Sequence, residues 1–171
     1  MRDLVEDVVK RALSPSNRNR LKPSAVKAIP KLAETWGYGN CWGTTLYMLG
    51  VIKEPRFIDS AEMDPWLDKN TKRVVKPAFG DVLVIRRETT DCSCIYDSAP
   101  YNCGGRSEYC DAPGALMHTA VYIGDGLYWH QRGHCGQFLI ESLLDIVITY
   151  PGDHYHARRK ARLTPIRGIS K

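Results

Sequence analysis

From Met117 to Gln131 the chain reads MHTAVYIGDGLYWHQ, two alternating runs joined by Gly124-Asp125-Gly126, a pattern that specifies an antiparallel β-hairpin. The length of its loop decides which face each residue takes. A two-residue turn at Asp125-Gly126 would pair Gly124 with Leu127 and Val121 with His130, sending His118 and His130 to opposite faces. A three-residue loop with Gly126 in the left-handed conformation pairs Ile123 with Leu127 and Ala120 with His130. The two histidines then become diagonal neighbours on one face, about 7 Å apart between backbones. The same register gathers Val121, Ile123, Leu127 and Trp129 on the other face as a core, so hydrophobic alternation favours it.

Around this hairpin the chain reads as helices first and strands afterwards, which implies an α+β domain with a mostly antiparallel sheet. "DLVEDVVKRAL", residues 3 to 13, carries Leu4, Val5, Val8, Val9 and Leu13 on one helical face, with Asp3 and Glu6 resembling a capping box. It belongs to a helical extension over about residues 1–30 that packs on the rest. Ser24 is positioned to cap a second helix from Ala25 to about Thr35, which Pro30 would shorten or kink. Gly50 is a helix C-cap for the segment that starts at Cys41. Strands are expected from about Val74 onward in "DVLVIRR", "HTAVYIG", "LYWHQ", "QFLIE", "DIVITY" and "HYHARR".

With 171 residues, 43% apolar and 25% charged, the chain has the composition of one ordinary globular domain, and it contains no repeat. No run approaches the roughly 18 apolar residues of a membrane span, and the acidic, interrupted N-terminus does not read as a secretory signal. The expectation is a monomer that is cytoplasmic or leaves the cell by a route without a leader, as a secreted effector or a phage-delivered enzyme would. The net charge of +5 comes partly from "NRNRLK" and "HARRKARLTPIR". These segments would suit an anionic partner, but solvated surface charge accounts for them, and no DNA- or RNA-reading motif accompanies them, so no nucleic-acid partner is expected.

"GYGNCWGTTLYMLG", Gly37 to Gly50, sets a cysteine at the start of a helix. There Cys41 meets unpaired backbone N–H groups and the positive end of the helix dipole, both of which favour thiolate. Gly37, Gly39 and Gly43 keep bulk away from an approaching carbonyl, and the Cys41 N–H is a candidate oxyanion donor. A cysteine also packs well as a small buried apolar residue, so the functional reading depends on a base. His118 and His130 on one strand face supply that base.

A second cysteine feature is "DCSCIYDSAPYNCGGRSEYC", an insertion over about residues 91–112 in which Cys92, Cys94, Cys103 and Cys110 place four of the six cysteines within 19 positions. Either four thiolates hold a structural zinc or two disulfides staple the loop. The lack of a secretory signal favours zinc, whereas the Cys-x-Cys spacing is unlike that of zinc ribbons. Cys135 beside His134 reads as a hairpin-end residue. His154 and His156 alternate in a strand but have no carboxylate-rich partner segment for a metal. Asp64 and Asp68 read as solvated acids near a helix start.

The order of a helix-opening cysteine, "FGDVLVIRR", "HTAVYIGDGLYWH", "ESLLDIV" and a closing "HYHARR" resembles the NlpC-like family of papain-fold cysteine peptidases, which mostly cleave peptide bonds of bacterial peptidoglycan. The resemblance runs from about Trp36 to Arg159. It implies a single catalytic domain in which Cys41 is the nucleophile, His118 the general base and His130 the residue that orients it, with no cofactor needed for catalysis. It also suggests Tyr38, Asn40 and Trp42 as oxyanion or substrate contacts. The sequence departs from the family in Asn40-Cys41-Trp42-Gly43, where Asp usually precedes the cysteine and Ser-Gly follows, and in the compressed approach "TWGYGN". Two other readings stay open: a papain-like acyltransferase or amidase with another substrate, and a non-catalytic binding module stapled by zinc or disulfides.

Overall fold

Alternation along the hairpin builds the centre of a six-stranded antiparallel sheet. The computed structural model describes residues 6, 7, 10, 11, 14, 15, 21–32, 38–87 and 115–161. Within them lie four helices and six strands: α1 (Pro23–Leu32), α2 (Cys41–Met48), α3 (Ser60–Asn70), β1 (Thr71–Val74), β2 (Val82–Arg87), β3 (Ala115–Gly124), β4 (Leu127–Gln131), β5 (Phe138–Ser142), α4 (Leu143–Thr149) and β6 (His154–Lys160). The strand order is β1-β6-β2-β3-β4-β5. Glu6, Asp7, Lys10 and Arg11 are helical, as expected for the N-terminal extension. The four cysteines of the insertion lie outside the described residues.

The two sheet faces carry separate cores. One face holds Val82, Val84, Val121, Ile123, Trp129 and Phe138 against Ala25 and Ile29 of α1, Leu46 and Met48 of α2, and Met63 and Leu67 of α3. The other face packs Leu83, Ile85, Ala120 and Tyr128 beneath Ile146 of α4. The face predicted from Val121, Ile123, Leu127 and Trp129 is therefore a core face. Removal of this apolar surface from water is the main force holding helices to sheet.

The hairpin reaches the expected register by another route. Its tip is a two-residue turn, with Gly124 opposite Leu127 and positive φ at both Asp125 (51°) and Gly126 (74°), as a type I′ turn requires. A bulge at Ile123 then restores Tyr122 to Tyr128 and Val121 to Trp129. One extra residue in the strand thus does what a third loop residue was expected to do.

Three sequence expectations change. Helix α1 begins at Pro23, so Ser24 lies inside it rather than capping it, and proline at the first helical position loses no hydrogen bond. "DIVITY" is mostly helix α4: Ser142 and Asp145 form a reciprocal capping box that overrides the β preference of Ile146, Val147 and Ile148. Asp59 caps α3 by accepting from the Glu62 N–H. Asp64 and Asp68 instead tie α3 to the sheet through Arg86 (2.5 Å) and Arg158 (3.1 Å).

Candidate active site

Asn40 fixes where helix α2 begins. Its side-chain oxygen accepts from the N–H of Gly43 (3.0 Å) and of Ile58 (3.3 Å), while its amide donates to the Ile58 carbonyl (2.7 Å). Asn40 is thereby a buried cap and strut, with both polar atoms spent on backbone, not a contact facing substrate. Gly43 serves the same junction: a Cβ there would lie 1.7 Å from the Arg56 carbonyl oxygen, so its bareness admits the 56–58 segment rather than a substrate. The helix is fastened to β3 and β4 by buried hydroxyls. Thr44 donates to Gln131 (2.7 Å), Thr45 bonds Thr119 (2.8 Å), and Thr119 donates to the Cys41 carbonyl (3.3 Å).

These contacts set the Cys41 sulfur against the backbone N–H groups of Thr119, Trp42 and Cys41 itself. Thr119 follows His118 directly. The β3–β4 ladder runs from Gly124↔Leu127 to Val121↔Trp129, and beyond it the Thr119 N–H meets sulfur. On the opposite face of the sheet from α2, His118 Nε2 and His130 Nδ1 are 3.0 Å apart, with rings nearly perpendicular at 88°. Both rings are wholly buried. The two histidines that the hairpin pattern placed on one face do meet there.

Two further residues complete the cluster, and the sequence reading missed both. Tyr150 stacks on His118, ring centroids 3.8 Å apart and 8° from parallel, and its hydroxyl accepts from the Gly133 N–H (3.1 Å). Burial first, then the nearby Cys41, push the Tyr150 hydroxyl up to about 12. Glu141 accepts from His130 Nε2 (2.9 Å) with one oxygen and from Arg132 (3.0 Å) with the other. In the ladder Tyr128 faces Glu141 and His130 faces Leu139, so Glu141 is the diagonal neighbour of His130 on the same face. Glu141 was visible in the sequence only as the one acid in "QFLIES", a signal usable once the β4–β5 register is known.

Burial governs the protonation states. It pushes the Cys41 thiol up to about 12, outweighing the three N–H groups that favour thiolate. His118 is held well below the usual imidazole value by burial first, then by His130 and Arg132. His130 is lowered by burial, against the opposing pull of the Glu141 charge and hydrogen bond. The resting pair is therefore neutral thiol and neutral imidazole, in contrast to the preformed thiolate expected from the helix start alone. His118 Nδ1 is buried with no hydrogen-bond partner among the described residues.

The remaining candidates divide. Tyr38 is 86% exposed at the approach to α2 and is open to a ligand, whereas Trp42 is half-buried against the helical core with its indole N–H enclosed. Cys135 is exposed at the end of the β4–β5 hairpin; its N–H donates to the Gly39 carbonyl (2.7 Å), and its neighbour His134 sits edge-on to Phe57. His156 is pushed down to about 4 by burial and by Arg73, Arg158, Arg86 and His154. Among the described residues no group of three or more histidines, cysteines and acids is placed to hold a metal, and no helix is long and apolar enough to cross a membrane. Compared with protein families, curated proteins and solved structures, the chain has no significant match.

Proposed function

We propose that this chain is a papain-like cysteine amide hydrolase of the NlpC-like type, acting on peptide bonds of peptidoglycan through Cys41, His118 and His130. The observation that carries the reading is the orphaned His118 Nδ1, with Nε2 of the same ring held by His130 and the adjacent residue's N–H on the Cys41 sulfur. A buried imidazole nitrogen without a partner is costly, and a base awaiting a proton is a reason to keep one. A cysteine opening a helix that packs on an antiparallel sheet beside the histidine strand also fits the papain-like arrangement. The substrate class comes from the sequence resemblance.

In this reading His118 Nδ1 takes the Cys41 proton as sulfur attacks the carbonyl carbon. The Cys41 and Trp42 N–H groups, which face the sulfur in the resting protein, turn to the developing oxyanion as the sulfur bonds to carbon. The C–N bond breaks, the amine leaves with the proton from His118, and a thioester remains. Water then attacks, giving one proton to His118, which returns it to sulfur as the acid departs. Tyr150 holds the imidazole face covered, restricting the ring to one plane. A neutral resting pair separates charge only when substrate arrives, so chemistry at sulfur is coupled to binding.

Digestion of purified muropeptides, followed by mass spectrometry, tests the proposal. A cleaved peptide stem with wild-type protein, and none with Cys41→Ala, is the expected result. Intact muropeptides after prolonged incubation with folded wild-type protein would remove peptidoglycan as the substrate.

A further inference from the structure

We propose that Glu141 is a positioning residue whose acceptor-only carboxylate, anchored by Arg132, dictates which nitrogen of both imidazoles carries hydrogen and so keeps His118 Nδ1 free as the base. The inference rests on the proposed Cys41–His118 chemistry but deepens it, because it concerns the polarity of a hydrogen-bond chain rather than the identity of its members. The chain is linear: Arg132 to Glu141 Oε1 at 3.0 Å, Glu141 Oε2 to His130 Nε2 at 2.9 Å, and His130 Nδ1 to His118 Nε2 at 3.0 Å.

Each link fixes the next. A carboxylate only accepts, so His130 Nε2 must carry hydrogen. In a neutral imidazole the other nitrogen is then a lone pair, so His130 Nδ1 accepts and His118 Nε2 must be the donor. His118 Nδ1 is left as a lone pair, and it is the atom with no partner. Reversing the first link would reverse all of them and put hydrogen on the one nitrogen that has to be bare. Arg132 matters because it occupies the other carboxylate oxygen and prevents the end group from turning over.

Glu141→Gln is the decisive variant, being nearly isosteric. Arg132 holds the glutamine oxygen, the amide NH2 faces His130 Nε2, and the chain reverses. In protein labelled with 15N-histidine near neutral pH, the wild type should show His118 bearing hydrogen on Nε2, and Glu141→Gln should show it on Nδ1. Muropeptide cleavage should fall roughly 10⁴-fold in Glu141→Gln, in line with the cost of a wrong tautomer in other triads. Glu141→Ala, which frees His130 without reversing it, should lose only about tenfold. The double variant Arg132→Ala/Glu141→Gln should recover much of the loss, since the amide can then turn its oxygen toward His130. A merely structural Glu141 predicts the opposite ranking, with alanine worse than glutamine. The proposal is overturned if wild-type His118 carries hydrogen on Nδ1, which needs no variant to fold, or if Glu141→Gln leaves the tautomer unchanged. A tautomer reversal in protein that cleaves no muropeptide would uphold the relay while removing the substrate assignment.

Discussion

His118 and His156 stand on strands of one sheet, each has a buried nitrogen with no hydrogen-bond partner among the described residues, and burial lowers the basicity of both. Their surroundings differ. His156 faces Arg73, Arg86 and Arg158, whose charges oppose any added proton, in a region where Asp64 and Asp68 join helix α3 to the sheet. His118 has one nitrogen secured by His130, its face covered by Tyr150, and a sulfur against the N–H of the next residue. An unpartnered, weakly basic imidazole is thus no sufficient mark of a general base. What separates His118 is its second nitrogen held by His130 and its ring stacked on Tyr150, neither of which His156 is shown to have.

The strongest way to break this comparison is to delete each group in turn. Cys41→Ala and His118→Ala should each reduce amide cleavage by about 10³-fold or more, whereas His156→Ala should leave activity per folded molecule unchanged. Equal losses at both histidines, measured on muropeptides with folding checked by circular dichroism, would erase the distinction. His130→Ala should cost about 10²-fold and retain measurable turnover, because His118 keeps its stacking partner. Wild-type turnover in that variant would take His130 out of the machinery. Tyr150→Ala should lower activity about tenfold by letting the His118 ring rotate, with a fall in Tm from the lost stacking and the emptied site.

Two pH experiments sharpen the contrast further. His118, His130 and His156 all have native values below the unfolded imidazole value of 6.5. Below pH 6.5 the unfolded chain binds protons that the native chain refuses, so stability should be complete above that pH, decline as pH falls through the window, and level off below the native values. A Tm profile should show this slope, and His118→Ala and His156→Ala should each flatten it. At the alkaline end the sign reverses: with the Cys41 thiol pushed up to about 12, stability declines as pH rises past 9, where the unfolded thiol ionises. Iodoacetamide alkylation of Cys41, followed by peptide mapping to separate it from exposed Cys135, should accelerate steadily from pH 7 to 10. A plateau below pH 8 would mean a preformed ion pair.

The hairpin was legible because a two-residue period leaves one useful register, in which Val121, Ile123 and Trp129 are buried together and His118 and His130 meet. Its turn was not, since a bulge and a longer loop give the same pairing. Glu141 escaped notice for the same reason from the other side: its partner depends on how β4 and β5 align across residues 132–137, and glycines and a positive-φ Cys135 leave no alternation to read. Helix α4 was hidden by its β-branched residues although Ser142 and Asp145 offered the capping pattern. Cys41 at a helix start was readable from sequence, but its burial was not, because that is set by the packing of α2 on β3 and β4.

The bulge at Ile123 separates the alignment of the hairpin from the shape of its tip. Extra residues spliced between Asp125 and Gly126 would ride on the turn while Val121 and Tyr122 kept their partners, so the interior of the ribbon would not feel them. Such a splice would part Asp125 from the Arg11 guanidinium and the Gly126 N–H from the Tyr122 hydroxyl, so a fluorophore set there reports on how the N-terminal helix holds the tip.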